Sequence, residues 1–115
     1  MTAVLYGIKN CDTMKKAFKW LDTHNIKYVF HDYKKQGIDE DVIENAIKDH
    51  GWDSVINQRG TTWRQLSDDV KKLMNDENAL DVARDNPSIL KRPILVYKNQ
   101  YTLGFKDNIY QEIFL

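Results

Sequence analysis

The chain has 115 residues, 17 basic and 17 acidic side chains, and a hydrophobic fraction of 42%. This length and composition favour one globular domain with a single core, and the balanced charge excludes a general attraction to nucleic acid. No apolar run approaches the ~20 residues that span a bilayer, and the first residues lack a secretory pattern, so we expect a cytoplasmic protein without membrane partners.

The first third of the chain predicts a β-α-β unit. A short apolar strand at residues 3–6 is followed by an amphipathic helix that begins near Cys11 and ends near His24. Apolar side chains recur in this helix at the spacing of one buried face: Met14, Ala17, Phe18 and Leu21. Aromatic and branched residues at 27–33 then predict a second strand.

The middle of the chain is expected to be helical. Asp39 fits the N-cap of a helix that Gly51 ends. Thr62 and Gln65 fit a capping box for a further helix, whose apolar residues fall on one side: Leu66, Val70, Leu73 and Met74. Another helical pattern follows at residues 79–83.

The end of the chain predicts a β-hairpin and a last helix. The Asn86-Pro87 step breaks the preceding helices. Residues 94–97 are an apolar run suited to a central strand, and residues 98–100 turn the chain into a second strand at 101–104. The last helix is expected from about Asp107.

This element order predicts an α/β fold on the thioredoxin plan, within one domain. The thioredoxin-like parts cover about residues 1–36 and 88–115, and a helical subdomain is inserted at about 37–87. In this plan, the loop before Pro93 lies at the same end of the sheet as the start of the first helix. Arg92 is therefore expected to approach the sulfur of Cys11.

Cys11 is the only cysteine, and its position predicts a reactive thiol. Unpaired N–H groups and the positive end of the helix macrodipole favour thiolate over thiol at a helix start. The alternative is a structural cysteine, because free cysteine often packs as a small hydrophobe.

A single cysteine also limits the chemistry available to the chain. Met14 stands where a C-x-x-C protein has its resolving thiol, and a thioether cannot attack a mixed disulfide. An external thiol must then regenerate Cys11. The three histidines are scattered and match no zinc spacing, so we expect neither a metal nor a tightly bound cofactor.

Three segments carry motifs: YGIKNCDT at residues 6–13, RGTTWR at 59–64 and KRPIL at 91–95. Together they resemble the arsenate reductase (ArsC)-like family, which also contains the Spx transcription regulators, and most closely its small bacterial YffB subgroup. The resemblance covers the whole chain and implies a glutaredoxin-like fold with a helical insertion. It also implies that Cys11 is the nucleophile and that arginines hold an anion. A third family arginine has no counterpart at residues 103–105.

The residues and the resemblance together predict a thiol reductase with one nucleophilic cysteine. The side chains expected to bind substrate or anion are Arg59, Arg92, Lys9, Asn10 and Thr13, with Pro93 as a structural residue beside them. Glutathione is the expected co-substrate, glutathione or glutaredoxin the expected partner, and a small oxyanion such as arsenate, or a disulfide, the expected substrate. The alternatives are a Spx-like regulator that binds RNA polymerase and a non-catalytic binding module with a thioredoxin fold.

Overall fold

A computed structural model describes residues 2–115 and divides them into two compact units. The first, here called the sheet unit, consists of the chain up to Gln36 together with Arg92–Leu115. The second, here called the helical unit, is Gly37–Lys91. Within residues 2–115, no helix has both the length and the apolar character needed to cross a membrane.

Within residues 2–115, the two units contain four strands and eight α-helices. In chain order they are β1 (Ala3–Gly7), α1 (Asp12–Thr23), β2 (Tyr28–Asp32), α2 (Tyr33–Gln36), α3 (Glu40–His50), α4 (Trp52–Val55), α5 (Thr61–Arg64), α6 (Asp68–Lys72), α7 (Asp76–Asp85), β3 (Ile94–Tyr97), β4 (Gln100–Leu103) and α8 (Asp107–Phe114). A 3-10 turn at Pro87–Ile89 precedes β3. The mixed α/β architecture predicted from the sequence is confirmed.

The sheet has the strand order β2-β1-β3-β4. β1 runs parallel to β2 and antiparallel to β3, so it is an inner strand with Leu5 paired to Leu95. Side chains from β1, α1, β3 and α8 form the core of the sheet unit: Ala3, Leu5, Met14, Ala17, Trp20, Leu21, Leu95 and Tyr110. Burial of this apolar surface holds α1 and α8 on the sheet.

The β3–β4 hairpin has a two-residue turn. Lys98 and Asn99 both adopt positive φ, at 51° and 63°. Two such residues in succession are typical of the type I′ turn, whose twist matches that of antiparallel strands. The turn is one residue shorter than expected from the sequence, so β4 begins at Gln100.

α3 in the helical unit begins and ends where the sequence predicts. The Asp39 side chain accepts a hydrogen bond from the N–H of Val42 at 3.3 Å. Gly51 ends the helix with φ of 84°, a conformation that glycine adopts without steric cost. Its buried residues are those of the predicted stripe: Val42, Ile43, Ala46 and Ile47.

The prediction of a single helix after Thr62 is wrong. The chain instead forms two short helices, α5 and α6, interrupted at residues 65–67. Ser67 accepts the N–H of Val70 at 3.2 Å and starts α6 afresh. The Thr62 hydroxyl hydrogen-bonds Ser88 at 2.9 Å, so Thr62 is an internal residue of α5 rather than a cap. A competing serine cap therefore divides the predicted helix.

Candidate thiol site

The site begins with the loop that joins β1 to α1. Cys11 is the N-cap of α1, with extended backbone angles of φ −146° and ψ 132°. Its thiol is free and half-buried. An N-cap side chain lies beside backbone N–H groups that the helix itself leaves without partners, so the sulfur faces a partial positive charge.

The surroundings of Cys11 favour its ionised form. Burial alone raises the pKa of the thiol, but the N–H of Met14, the guanidinium of Arg92 and the N–H of Thr13 act against it. The positive charge of Arg92 lowers the pKa further, and the net result is a pKa below the ordinary value. The sulfur stands outside the geometry of a formed N-cap hydrogen bond. The two N–H groups therefore act as nearby donors, whose contacts shorten when the sulfur becomes charged.

Arg92 comes from the loop before β3. Tyr6 of β1 pairs with Ile94 of β3, so the residues just before Ile94 lie beside the end of β1 and the start of its following loop. The Arg92–Pro93 peptide bond is cis, and Pro93 is buried. The Pro93 carbonyl accepts the N–H of Gly104 at 2.8 Å, which ties this loop to the end of the hairpin. Pro93 thus has a structural position beside Arg92.

The remaining predicted residues occupy different surroundings. Lys9 and Asn10 are exposed in the bend before Cys11, and Thr13 contributes its N–H to the thiol site. Arg59 belongs to the helical unit, where it is exposed after α4 and its N–H donates to the Asn57 side chain at 3.1 Å. The sheet unit therefore brings Cys11, Thr13, Arg92 and Pro93 together, and the roles of Lys9, Asn10 and Arg59 stay predictions.

The Met14 side chain lies beneath the site, in the core of the sheet unit. It is fully buried, and its sulfur lies against Gly7, a residue for which the sequence motifs suggested no role of its own. Within residues 2–115, no group of three or more His, Cys, Asp or Glu side chains is placed to hold a metal ion. The chemistry that this arrangement supports is nucleophilic attack by a thiolate on a group held beside a guanidinium.

Comparisons with known proteins identify relatives of the whole chain. The model of the ArsC family matches residues 6–113. An uncharacterized protein of Haemophilus influenzae is 44% identical over 110 residues, which cover 96% of each chain. The global transcriptional regulator Spx of Lactiplantibacillus plantarum is 26% identical over 107 residues, covering 91% of this chain and 80% of Spx.

Solved structures show the same fold. A structure described as YFFB protein superposes with a TM-score of 0.93 at 44% identity, covering 96% of this chain and 97% of that one. An arsenate reductase (ArsC) related protein of Brucella melitensis gives a TM-score of 0.77 at 42% identity, covering 99% and 95%. These likenesses confirm the thioredoxin-like fold predicted from the element order.

Proposed function

The chain belongs to the ArsC family, and we propose that it is a glutathione-dependent thiol reductase with Cys11 as its nucleophile. Family membership supports thiol-based redox chemistry in general. The observation that supports Cys11 as the nucleophile is its surroundings: against the effect of burial, two helix N–H groups and Arg92 lower the pKa of this thiol. A lowered pKa increases the thiolate fraction near neutral pH, and the thiolate is the attacking form.

The proposed cycle uses one protein thiol. The Cys11 thiolate attacks one sulfur of a disulfide, a bond forms between the two sulfurs, and the other sulfur leaves as a thiolate with the electron pair of the broken bond. A glutathione thiolate then attacks the mixed disulfide, releases Cys11 in its reduced form and forms a new disulfide outside the protein. Met14 is buried and has no thiol, so this second step requires an external partner, glutathione or a glutaredoxin.

The positive side chains are proposed to hold an anionic group on the substrate. Arg92 already contacts the sulfur, so an oxyanion or a carboxylate bound to its guanidinium lies close to the attacking atom. Arg59 and Lys9 are proposed as further contacts for the carboxylates of glutathione, on the resemblance of the motifs and on charge. Asn10 and Thr13 are proposed as polar contacts beside them, and arsenate is one oxyanion substrate to be tested.

Mass spectrometry of the reduced protein tests this function. After incubation with glutathione disulfide, we expect a mass increase of one glutathionyl group on Cys11, removed by added glutathione. Cys11→Ser should give no adduct, and Arg59→Met should slow adduct formation. A parallel incubation with arsenate and reduced glutathione tests the oxyanion, with a glutathionyl adduct that depends on arsenate as the positive result. A wild-type protein that remains unmodified in both incubations would contradict the proposal.

The similarity to Spx favours a second candidate, a regulator that binds RNA polymerase. Retention of purified RNA polymerase on the immobilised protein would support this candidate. If the polymerase binds and Cys11 forms no adduct, the regulatory function replaces the reductase. If neither polymerase binding nor an adduct is seen, the third alternative, a non-catalytic binding module, is the one that stands.

A further inference from the structure

Gly7 is the last residue of β1, and the Met14 side chain lies close to the position that a side chain at Gly7 would occupy. A Cβ atom built at this position would lie 2.6 Å from the Met14 sulfur and 2.9 Å from its terminal methyl carbon. It would also lie 3.6 Å from Cβ of Arg92, an ordinary contact distance. Gly7 is not among the glycines with positive φ, so its backbone conformation suits any residue. The Met14 side chain is therefore the group that a larger residue at this position would have to displace.

Both neighbours of Gly7 carry groups that act on the Cys11 sulfur. Met14 is in the first turn of α1, and its N–H faces the sulfur while its side chain packs against Gly7. Arg92 places its guanidinium on the same sulfur, and its Cβ borders the same glycine. Gly7 thus borders both residues whose donors face Cys11.

We propose that Gly7 is a positioning residue for the thiol site. Because Gly7 has no side chain, the N–H of Met14 and the guanidinium of Arg92 can approach the sulfur of Cys11. The inference rests on the proposed function in that Cys11 is the reacting group. Gly7 itself acts only through its two neighbours.

The size of the overlap indicates that something must move when Gly7 is enlarged. Carbon and sulfur atoms in contact prefer separations of about 3.5–4.0 Å, well above the distances that an added Cβ would have. A methionine side chain is flexible, but Met14 is fully buried among core residues of the sheet unit. Close-packed surroundings leave little space for its sulfur to move aside, so we expect part of the displacement to reach the first turn of α1.

The test measures the rate of Cys11 alkylation by iodoacetamide against pH. We expect the inflection for Gly7→Ala to rise by about 0.5 to 1 unit, which lowers the rate below the inflection by about three- to tenfold. Met14→Ala should also raise the inflection, because it removes the packing of the first turn. In Gly7→Ala/Met14→Ala the new methyl group occupies part of the vacated space, so its inflection should lie closer to wild type than that of either single variant.

Leu21→Ala is the matched control. Leu21 is fully buried on the same helix but lies near its C-terminal end, about two turns after Met14, so this variant is destabilised and should keep the wild-type inflection. If Gly7→Ala does not fold, Met14→Ala and the double variant still carry the test.

Three results would overturn the inference: an unchanged inflection in Gly7→Ala, equal shifts in Gly7→Ala and Leu21→Ala, or no recovery in the double variant. An ordinary thiol inflection in the wild-type protein would instead contradict the proposed function.

Discussion

Arg92 and the helix N–H groups stabilise the same negative charge in different ways. The N–H groups of Met14 and Thr13 carry partial charges fixed by the backbone, whereas the guanidinium of Arg92 carries a full charge and donates a hydrogen bond. Because these groups lower the pKa of Cys11 in the folded state, ionisation of the thiol favours folding. This contribution is complete above the ordinary thiol value of about 8.5 and is lost as pH falls through the folded pKa.

Removal of the guanidinium should therefore raise the pKa of Cys11. For Arg92→Met we expect the inflection of the alkylation rate to move upward by about one unit, so that the rate below the inflection falls about tenfold. The pH dependence of unfolding by urea should also become shallower between the two pKa values, because the folded and unfolded thiols then differ less.

Lys91→Met is the control for Arg92→Met, because it removes an exposed positive charge one residue earlier in the chain. Its inflection should match wild type. The same upward shift in both variants would mean that the general positive charge of the loop, and not the contact of Arg92 with the sulfur, lowers the pKa of Cys11.

At the scale of elements, aromatic packing holds α8 against α1. The Tyr110 ring meets the Trp20 ring edge-on, with centroids 5.5 Å apart. It meets Phe105 in the same way at 4.7 Å, so one buried side chain joins α8 to α1 and to the end of the hairpin. The Trp20 indole N–H also donates to the side chain of Asp107 at the start of α8. Edge-to-face rings add to the stabilisation that burial alone provides.

The Tyr110 hydroxyl adds no hydrogen bond to this packing among the described residues. It is buried and, within the described residues, has no hydrogen-bond partner; burial raises its pKa well above the ordinary range. A buried polar group without a partner opposes folding, so Tyr110→Phe should leave the free energy of unfolding unchanged or increase it by about 1 kcal/mol. Tyr110→Ala, which removes the ring, should cost about 3–5 kcal/mol.

Urea unfolding of both Tyr110 variants against wild type measures these differences. A loss of more than about 1 kcal/mol in Tyr110→Phe would show that the hydroxyl has a partner in solution.

At the scale of the whole molecule, periodicity and caps predict the elements that bury a continuous apolar face. The helix after Cys11 and the helix capped by Asp39 each bury such a face. The prediction of one helix after Thr62 is wrong because, of its apolar residues, Val70 and Leu73 are exposed and only Met74, which lies beyond α6, is buried. Ser67 followed by two aspartates was the local signal for a new helix start.

The candidate site was predictable only in part. The position of Cys11 at a helix start follows from the pattern of the chain, and the approach of Arg92 follows from the order of strands. The packing of Met14 on Gly7 does not follow from either, because it depends on how closely the first turn of α1 approaches the end of β1. Distances of this kind are set by the tertiary core, which short-range patterns do not encode.

The distribution of burial predicts an uneven local stability that hydrogen exchange can measure. In β1 the residues Ala3, Leu5 and Tyr6 are buried and the strand is paired on both sides, so its amides should exchange only when the sheet unit unfolds. α6 buries none of its residues, and the neighbouring Leu73 is 70% exposed. Its amides should exchange by local opening, several orders of magnitude faster than those of β1 and with little dependence on low urea concentrations.

The exchange rate of α3 amides distinguishes this explanation from a low stability of the whole helical unit. It belongs to the same unit as α6, yet it buries one continuous face that includes Ile43 and Ile47. We therefore expect α3 amides to exchange far more slowly than those of α6. If α3 and α6 exchange equally fast, the helical unit opens as a whole; if α6 exchanges as slowly as β1, burial of side chains does not govern the local stability of this chain.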